Sequence, residues 1–230
     1  MDSLYSPVLP AAAASAPSAR MPVADLLPRA LVKELHSGHP AKLLAHFLAL
    51  GEDDRYLRFG RPISDEAIAQ YVERIDWQTS AVFGVFDESL GLVGVAHLAT
   101  IDEAPANAPS RRCAEFGVSV LPSARGKGVG TRLFDRSIVH ARNAGIDTFY
   151  MQCLAKNAQM LRIARKARMR IEIEYGEANA YLTLPEAHLG THIAEAFEEQ
   201  LAAFDLRLKK ELQAANDRLS GFSRALSQAA

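Results

Sequence analysis

Val118-Ser119-Val120-Leu121-Pro122-Ser123-Ala124-Arg125-Gly126-Lys127-Gly128-Val129-Gly130-Thr131 joins an apolar, β-prone run to a glycine-rich basic turn. A segment with Leu133, Phe134, Ile138 and Ala141 at helical spacing follows. Strand, glycine turn and helix in this order present several backbone N–H groups and a helix N-terminus to one anion. Glycines let the backbone approach that anion, because no Cβ stands in the way. The stretch therefore reads as a phosphate cradle in an α/β chain.

Two familiar cradles fail on spacing. A P-loop requires Gly-Lys followed by Ser or Thr, and Lys127 is followed by Gly128. A dinucleotide fingerprint requires a third glycine three residues after the second, and Thr131 occupies that place. The pattern Arg125-x-x-Gly128-x-Gly130 resembles the pyrophosphate loop of the GNAT family of N-acetyltransferases, written Gln/Arg-x-x-Gly-x-Gly/Ala. Its flanks are similar too. Ala114-Glu115-Phe116-Gly117-Val118-Ser119-Val120 looks like the family's fourth strand, and Thr148-Phe149-Tyr150-Met151-Gln152-Cys153 like its fifth, with Asn157 soon after. Ala164-Arg165-Lys166-Ala167-Arg168-Met169 stands where the family often has Leu-Tyr-x-Lys-x-Gly-Phe. The resemblance spans residues 28–184 and is most specific over 113–169. A plain glycine-rich turn in another α/β fold is the competing reading.

Composition narrows the class. The chain has 230 residues, 49% hydrophobic and 23% charged, as soluble globular proteins do. A net charge of −1 supplies no field for nucleic acid or an anionic membrane surface. Cys113 and Cys153 are the only cysteines, which argues against a disulfide scaffold and suits a reducing compartment, so a cytoplasmic location is expected. No apolar run reaches the ~20 residues of a membrane span. Residues 1–25, rich in Ala, Pro and Ser, lack the basic start of a signal peptide and read as a disordered arm, with Met21 a possible later start.

Periodicity predicts a first strand at Arg29–Leu35 and a helix after Pro40 through Leu48. Glu52-Asp53-Asp54 reads as a polar turn leading into Arg55-Tyr56-Leu57-Arg58-Phe59. A helix capped by Ser64 follows, then strands Ala81–Phe86 and Leu92–Ala99 and a loop from Asp102 to Ser110. After the fourth strand comes a helix closed by Gly145, the fifth strand, a helix over 158–167 and strands Arg170–Tyr175 and Ala178–Leu184. The fold class implied is α/β (α+β), a mixed, mostly antiparallel sheet with a splayed parallel fourth and fifth strand flanked by helices. The divisions are the arm, an acetyltransferase domain over 26–185 and an amphipathic helix over 186–230. In that helix Leu189, Ile193, Phe197, Leu201, Phe204, Leu208, Leu212, Ala215, Leu219, Phe222 and Leu226 form one apolar stripe, broken only at Ser220-Gly221. A second copy is the expected cover, giving a homodimer; packing on its own domain is the other reading.

The resemblance implies a reaction, transfer of an acetyl group from acetyl-CoA to a primary amine, with no metal. Val118, Ser119 and Val120 are expected to face the pantetheine arm, and a backbone N–H near Gly117 or Val118 the oxyanion. The N–H groups of Gly126, Lys127, Gly128, Val129, Gly130 and Thr131, with the charges of Arg125 and Lys127, are expected to hold the pyrophosphate. Asn157 matches the family's asparagine at the pantetheine, or is simply a helix cap. Glu115 is the first candidate for general base, with His97 second. The tyrosine that protonates the leaving thiolate in the family is Ala164 here; Tyr150 and Cys153 are nearby substitutes. Asp54-Arg55-Tyr56-Leu57-Arg58-Phe59 is similar to a segment of bacterial protein lysine acetyltransferases, which places Tyr56 and Arg58 near the acceptor, a small-molecule amine or a protein lysine. Ala164 also sustains an alternative: a non-catalytic acyl-CoA-binding regulatory module.

Overall fold

The structure, a computed structural model, describes residues 30–110 and 112–228. The arm expected over 1–25 and Arg29 of the first strand lie outside the described residues, as do the side chains of Phe222 and Leu226. One sheet has the strand order β1-β2-β3-β4-β5-β7-β6. Its members are β1 (Lys33–Leu35), β2 (Ser80–Phe86), β3 (Leu92–Ile101), β4 (Cys113–Val120), β5 (Thr148–Leu154), β6 (Arg170–Glu174) and β7 (Glu177–Thr183). Among the described residues only β4 and β5 pair in parallel. The helices are α1 (Pro40–Leu48), α2 (Glu52–Phe59), α3 (Asp65–Glu73), α4 (Val129–Asn143), α5 (Ala158–Lys166) and α6 (Leu189–Gln228).

Two apolar layers hold the sheet. On one face α4 makes the crossover that a parallel pair requires, and Phe134 on it meets Phe116 and Phe149 at centroid distances of 5.4 and 5.3 Å. Such aromatic pairs contribute about 0.5–1.5 kcal/mol beyond the area they bury. On the other face α1 and α3 bring Leu43, Phe47, Ile68 and Val72 against Val82 and Val95. The strand and helix order expected from periodicity is observed with one helix added, α2.

One local reading is overturned. Glu52, Asp53 and Asp54 are not a turn but the first turn of α2. Three carboxylates there oppose the partial positive charge of the helix N-terminus, which stabilises the helix they begin. The helix ends at Gly60, whose φ of 72° lets its N–H reach Tyr56. Ser64 caps α3 as expected, its Oγ accepting from the Ala67 N–H at 3.3 Å.

The same C-terminal cap appears on α4 and α5. After α4, Gly145 N–H donates to the Arg142 carbonyl and Ile146 N–H to Ala141. After α5, Arg168 N–H donates to Arg165 and Met169 N–H to Ala164. This double bond pattern needs a left-handed residue just past the helix. Gly145 supplies it at φ 75°, but in α5 it falls on Arg168 at φ 56°. The backbone thus keeps the glycine conformation at the position where the sequence departs from Gly-Phe.

The helix α6 docks along α4 and β1. Thr191, Ala202 and Leu206 are buried, while Leu189, Ile193, Phe197, Phe204, Leu208, Leu212 and Leu219 remain exposed. None of the three buried residues belongs to the expected stripe, whose described members stay exposed apart from a half-buried Leu201. The domain covers a neighbouring face of the helix, and the expected pairing with a second copy concerns the stripe itself. Docking centres on Arg136, which is 2% exposed and stacks on Phe83 at 4.9 Å. Glu195 accepts from Arg136 Nη1 at 2.5 Å, His140 Nδ1 at 2.8 Å and Asn143 Nδ2 at 2.6 Å. Glu34 and Glu199 also face Arg136, and Lys33 pairs with Glu199. Among the described residues no helix is long and apolar enough to cross a membrane.

Two outcomes follow for stability. Arg168→Gly removes the strain of a left-handed arginine, so stability rises by about 1 kcal/mol and the melting temperature by roughly 2–4 °C; an unchanged value in calorimetry would refute the strain. Burial alone would raise the Glu195 pKa, but the hydrogen bonds from His140, Asn143 and Arg136 and the Arg136 charge outweigh it and hold it at about 2. Its stabilisation is complete above the ordinary glutamate range and is lost as pH falls from about 4.5 toward about 2. Glu195→Gln should therefore destabilise at pH 7 far more than at pH 2.5, measured by denaturant unfolding at both.

Candidate functional site

β4 and β5 pair at three positions, Cys113 with Thr148, Ala114 with Phe149 and Glu115 with Tyr150. Beyond these β4 follows β3 to Val120, and β5 follows β7 to Leu154. Two strand edges are left facing a gap. A cavity of about 150 Å³ lies there, lined by Val118, Ser119, Val120, Arg125, Gly130 and Asn157, by Asp54, Leu57 and Arg58 of α2 and by Gln159, Met160 and Ile163 around α5. Seven of the residues singled out in the sequence, Arg58 among them, thus meet in one place.

The glycine loop stands at the end of β4. Gly126 and Gly128 take φ of 73° and 79°, and Gly128 is the N-cap of α4. The first turn of a helix leaves its N–H groups without intrahelical partners; here these belong to Val129, Gly130 and Thr131. A Cβ on Gly130 would meet Ile163 and Val120 only at 3.7 Å, so the protein itself does not demand glycine there. Lys127 turns back on its own loop, its Nζ donating to the Ser123 carbonyl at 2.9 Å. Val129 points its side chain into the core, which leaves its backbone as the group available to a ligand.

Three contacts from α2 cross the gap. Arg125 Nη2 pairs with Asp54 at 2.6 Å, while its Nε donates to the Val120 carbonyl at 3.1 Å. Lys156 Nζ lies 4.4 Å from the centre of the Tyr56 ring. Arg58 lies flat over Gly117, where a Cβ would come within 2.8 Å of its guanidinium carbon. The absence of a side chain at 117 is what admits this cation. Arg58 also stacks on Phe59 at 5.1 Å and donates to Tyr71 Oη at 2.9 Å.

Two histidines, His46 buried and His97 half-buried, flank the site. His46 Nδ1–H donates to the Leu92 carbonyl at 2.8 Å, so its Nε2 accepts from the Ser119 hydroxyl at 2.8 Å. Burial holds its pKa at about 4. His97, opposite Gly117 in the sheet register, meets Tyr71 Oη at 2.8 Å through Nδ1. Burial, with the charge of Arg58 second, holds it also at about 4.

The remaining candidates separate. Glu115 is exposed on the same sheet face as His97 and Gly117 and does not line the cavity. Asn157 caps α5, its Oδ1 accepting from Met160 N–H at 3.2 Å, while also lining the cavity. Tyr150 is buried and donates to Asn179 Oδ1 at 2.6 Å; burial raises its pKa. Cys153 packs in the core, its thiol also raised by burial, and Ala164 is fully buried. Neither Tyr150 nor Cys153 opens onto the gap as the missing acid. Asp54, Leu57, His46 and Gln159 were not selected from the sequence, since no spacing marks a residue that reaches the site only through tertiary packing. Glu34, His140 and Glu195 approach one another closely enough to share an ion, but Arg136 already donates to both carboxylates.

Comparison with known proteins agrees with this geometry. Residues 34–170 match the family model described as an acetyltransferase (GNAT) domain. The GNAT domain of S. lividans PAT is similar at a TM-score of 0.57 and 20% identity, over 67% of this chain and 90% of that one. A putative acetyltransferase from Acinetobacter baylyi gives 0.54 at 17%, over 69% and 96%. One from Salmonella typhimurium, solved with its cofactor acetyl-CoA, gives 0.52 at 17%, over 69% and 96%. At such identities the likeness is one of fold. No protein of curated function matches the sequence.

Gly117→Ala tests the Arg58 contact. The new Cβ meets the movable end of a side chain, so the guanidinium shifts and the bond to Tyr71 breaks, at a cost of about 1 kcal/mol. With that charge displaced, the His97 titration midpoint should rise from about 4, staying below the ordinary histidine value because burial persists. An unchanged midpoint by NMR would contradict the assignment.

Proposed function

Because the chain belongs to the GNAT acetyltransferase family, we propose that it transfers the acetyl group of acetyl-CoA to a primary amine. The observation that carries the proposal is the divergence of β4 from β5 after Glu115 and Tyr150, with a glycine loop at the far end of the gap. An extended chain placed there can pair with the free edge of β4 as an added strand does, which suits the pantetheine arm against Val118 and Val120. The N–H groups from Gly126 to Thr131 then meet the pyrophosphate. Arg125 supports this reading only if its guanidinium turns from Asp54 toward that anion.

In the reaction the amine nitrogen attacks the thioester carbonyl, the new C–N bond forms and the C–S bond breaks. An alkyl amine of pKa about 10.4 is neutral in about one molecule in a few thousand at pH 7, so a base must take its proton. Glu115 is exposed on the strand that borders the gap and is the base in this proposal, reached directly or through water. His97 is unsuited, since its Nδ1 is occupied by Tyr71. The thiolate receives its proton from water, because Ala164 has no donor.

Release of free CoA thiol from acetyl-CoA over a panel of amines tests the activity. Gly130→Asp sets a carboxylate against the pyrophosphate position and should weaken acetyl-CoA binding about tenfold or more, with little change in stability. Glu115→Gln should lower the rate about 10²-fold near neutral pH and less at high pH, where the amine is already deprotonated. Binding of acetyl-CoA without turnover on any amine would instead establish the non-catalytic module, and an unchanged Glu115→Gln rate would remove Glu115 as base.

A further inference from the structure

A second cavity, of about 500 Å³, opens between α3 and β3 on the far side of Arg58 and Tyr71 from the gap; Phe59, Arg61, Tyr71, Arg74 and His97 line it. Its size is that of a small-molecule site. Its charge is net positive, two arginines against one carboxylate. Arg61 and Arg74 are both on its wall, and among the described residues neither has a carboxylate within ion-pair distance. The one carboxylate of the lining, Asp76, accepts from Gln78 N–H and Thr79 Oγ1, both at 2.9 Å, and so serves its own turn.

The hydrogen-bond directions at the inner end point the same way. A guanidinium only donates, so Tyr71 Oη accepts from Arg58 Nη2. The phenol proton is then free to go to His97 Nδ1, and we assign the tautomer in which that nitrogen accepts. A neutral ring with Nδ1 accepting carries its proton on Nε2. That Nε2 is buried and without a partner. A buried donor left unpaired costs about 1–3 kcal/mol, which a ligand bringing an acceptor would recover. His97 Nε2–H inside and Arg61 and Arg74 outside are uncommitted donors on this lining, and its other uncommitted polar side chains, Gln70, Ser80 and Thr100, can donate as well as accept.

We propose that this cavity takes the acceptor, and that the acceptor carries an oxyanion, carboxylate or phosphate, besides its amine. The inference rests on the acetyltransferase reading for the amine but not for the anion. Arg61 and Arg74 hold the oxyanion in a charge-assisted pair, and the amine end lies toward Tyr71, Gly117 and the gap. Polyamines and lysine-rich segments, which bring only positive charge, meet two cations here and are poor acceptors.

The test is calorimetric and independent of turnover, on the full chain. N-acetylnorleucine is compared with its amide, and N-acetylglucosamine 6-phosphate with N-acetylglucosamine. The fluorescence of Trp77, the single tryptophan, gives a second readout beside Asp76. At least one anionic probe should bind tenfold or more tightly than its uncharged counterpart, and the one that does identifies the oxyanion. Arg74→Gln and Arg61→Gln should erase that difference while leaving acetyl-CoA binding within twofold. Equal affinity within each pair, no binding of any probe, or preference for spermidine overturns the proposal. Failure of the wild-type chain to bind acetyl-CoA would instead overturn the acetyltransferase reading and leave the anion site standing.

Discussion

β5 is held by β7 along its whole length, from Thr148 to Leu154, and β4 by β3 from Cys113 to Val120. Each strand has a full partner on its outer side, so the two can separate after Tyr150 without losing their place in the sheet. The cost falls on the inner edges, whose N–H and C=O groups lack the pairing that buried backbone requires. That debt organises the surroundings. α2 lies across the gap, α5 lines it, and the glycine loop begins where the free edge of β4 ends. A ligand with an extended polar arm is the natural partner for such an edge, and in the proposed reaction that ligand is acetyl-CoA. The free edge carries no information about what stands on the other side of Gly117.

α2 is where the two halves of the site meet. Asp54 reaches the loop through Arg125, Tyr56 reaches the start of α5 through Lys156, and Arg58 reaches β4 at Gly117. These contacts differ in kind. The Asp54–Arg125 pair is partly exposed and hence weak, so a pyrophosphate can compete for the guanidinium. Arg58 is enclosed by Phe59, Phe47 and Tyr71 and lies on a glycine. It has no carboxylate partner among the described residues, and a cation in that state favours any negative charge formed nearby. Within the proposed reaction that charge is the oxyanion.

Much of the fold was legible because its signals are local. The Ser64 cap, the Gly145 stop and the alternation in β2 and β3 each depend on a few adjacent residues. The glycine loop was legible for the same reason. α2 misled because three consecutive acids suit both a solvated turn and a helix start, and only the following Arg55-Tyr56-Leu57-Arg58 packing decides between them. Arg136 was invisible: its partners Glu34 and Glu195 lie 102 and 59 residues away, and a guanidinium among apolar helix positions looks like a surface residue. His46 was hidden likewise, since its partners Leu92 and Ser119 come from two other strands.

The departures in α5 can be understood together. Arg168 keeps the left-handed backbone that glycine would supply, so the helix end and the cavity wall formed by Met160 and Ile163 are preserved. Ala164 stands where the family has tyrosine, and its full burial means that a phenol restored there would meet packed core before it met the gap. In the proposed reaction the frame for the acyl donor is therefore kept, while α5 supplies no acid at Ala164. The polar groups that remain beside Gly117 come from the opposite side, from α2, α3 and β3, as Arg58, Tyr71 and His97. Their hydrogen bonds run in one direction, from Arg58 to Tyr71 to His97, and none of the three is left with a free basic nitrogen. In the proposed reaction this side can orient an acceptor and stabilise negative charge, but proton removal has to come from elsewhere, which leaves Glu115 and water to perform it.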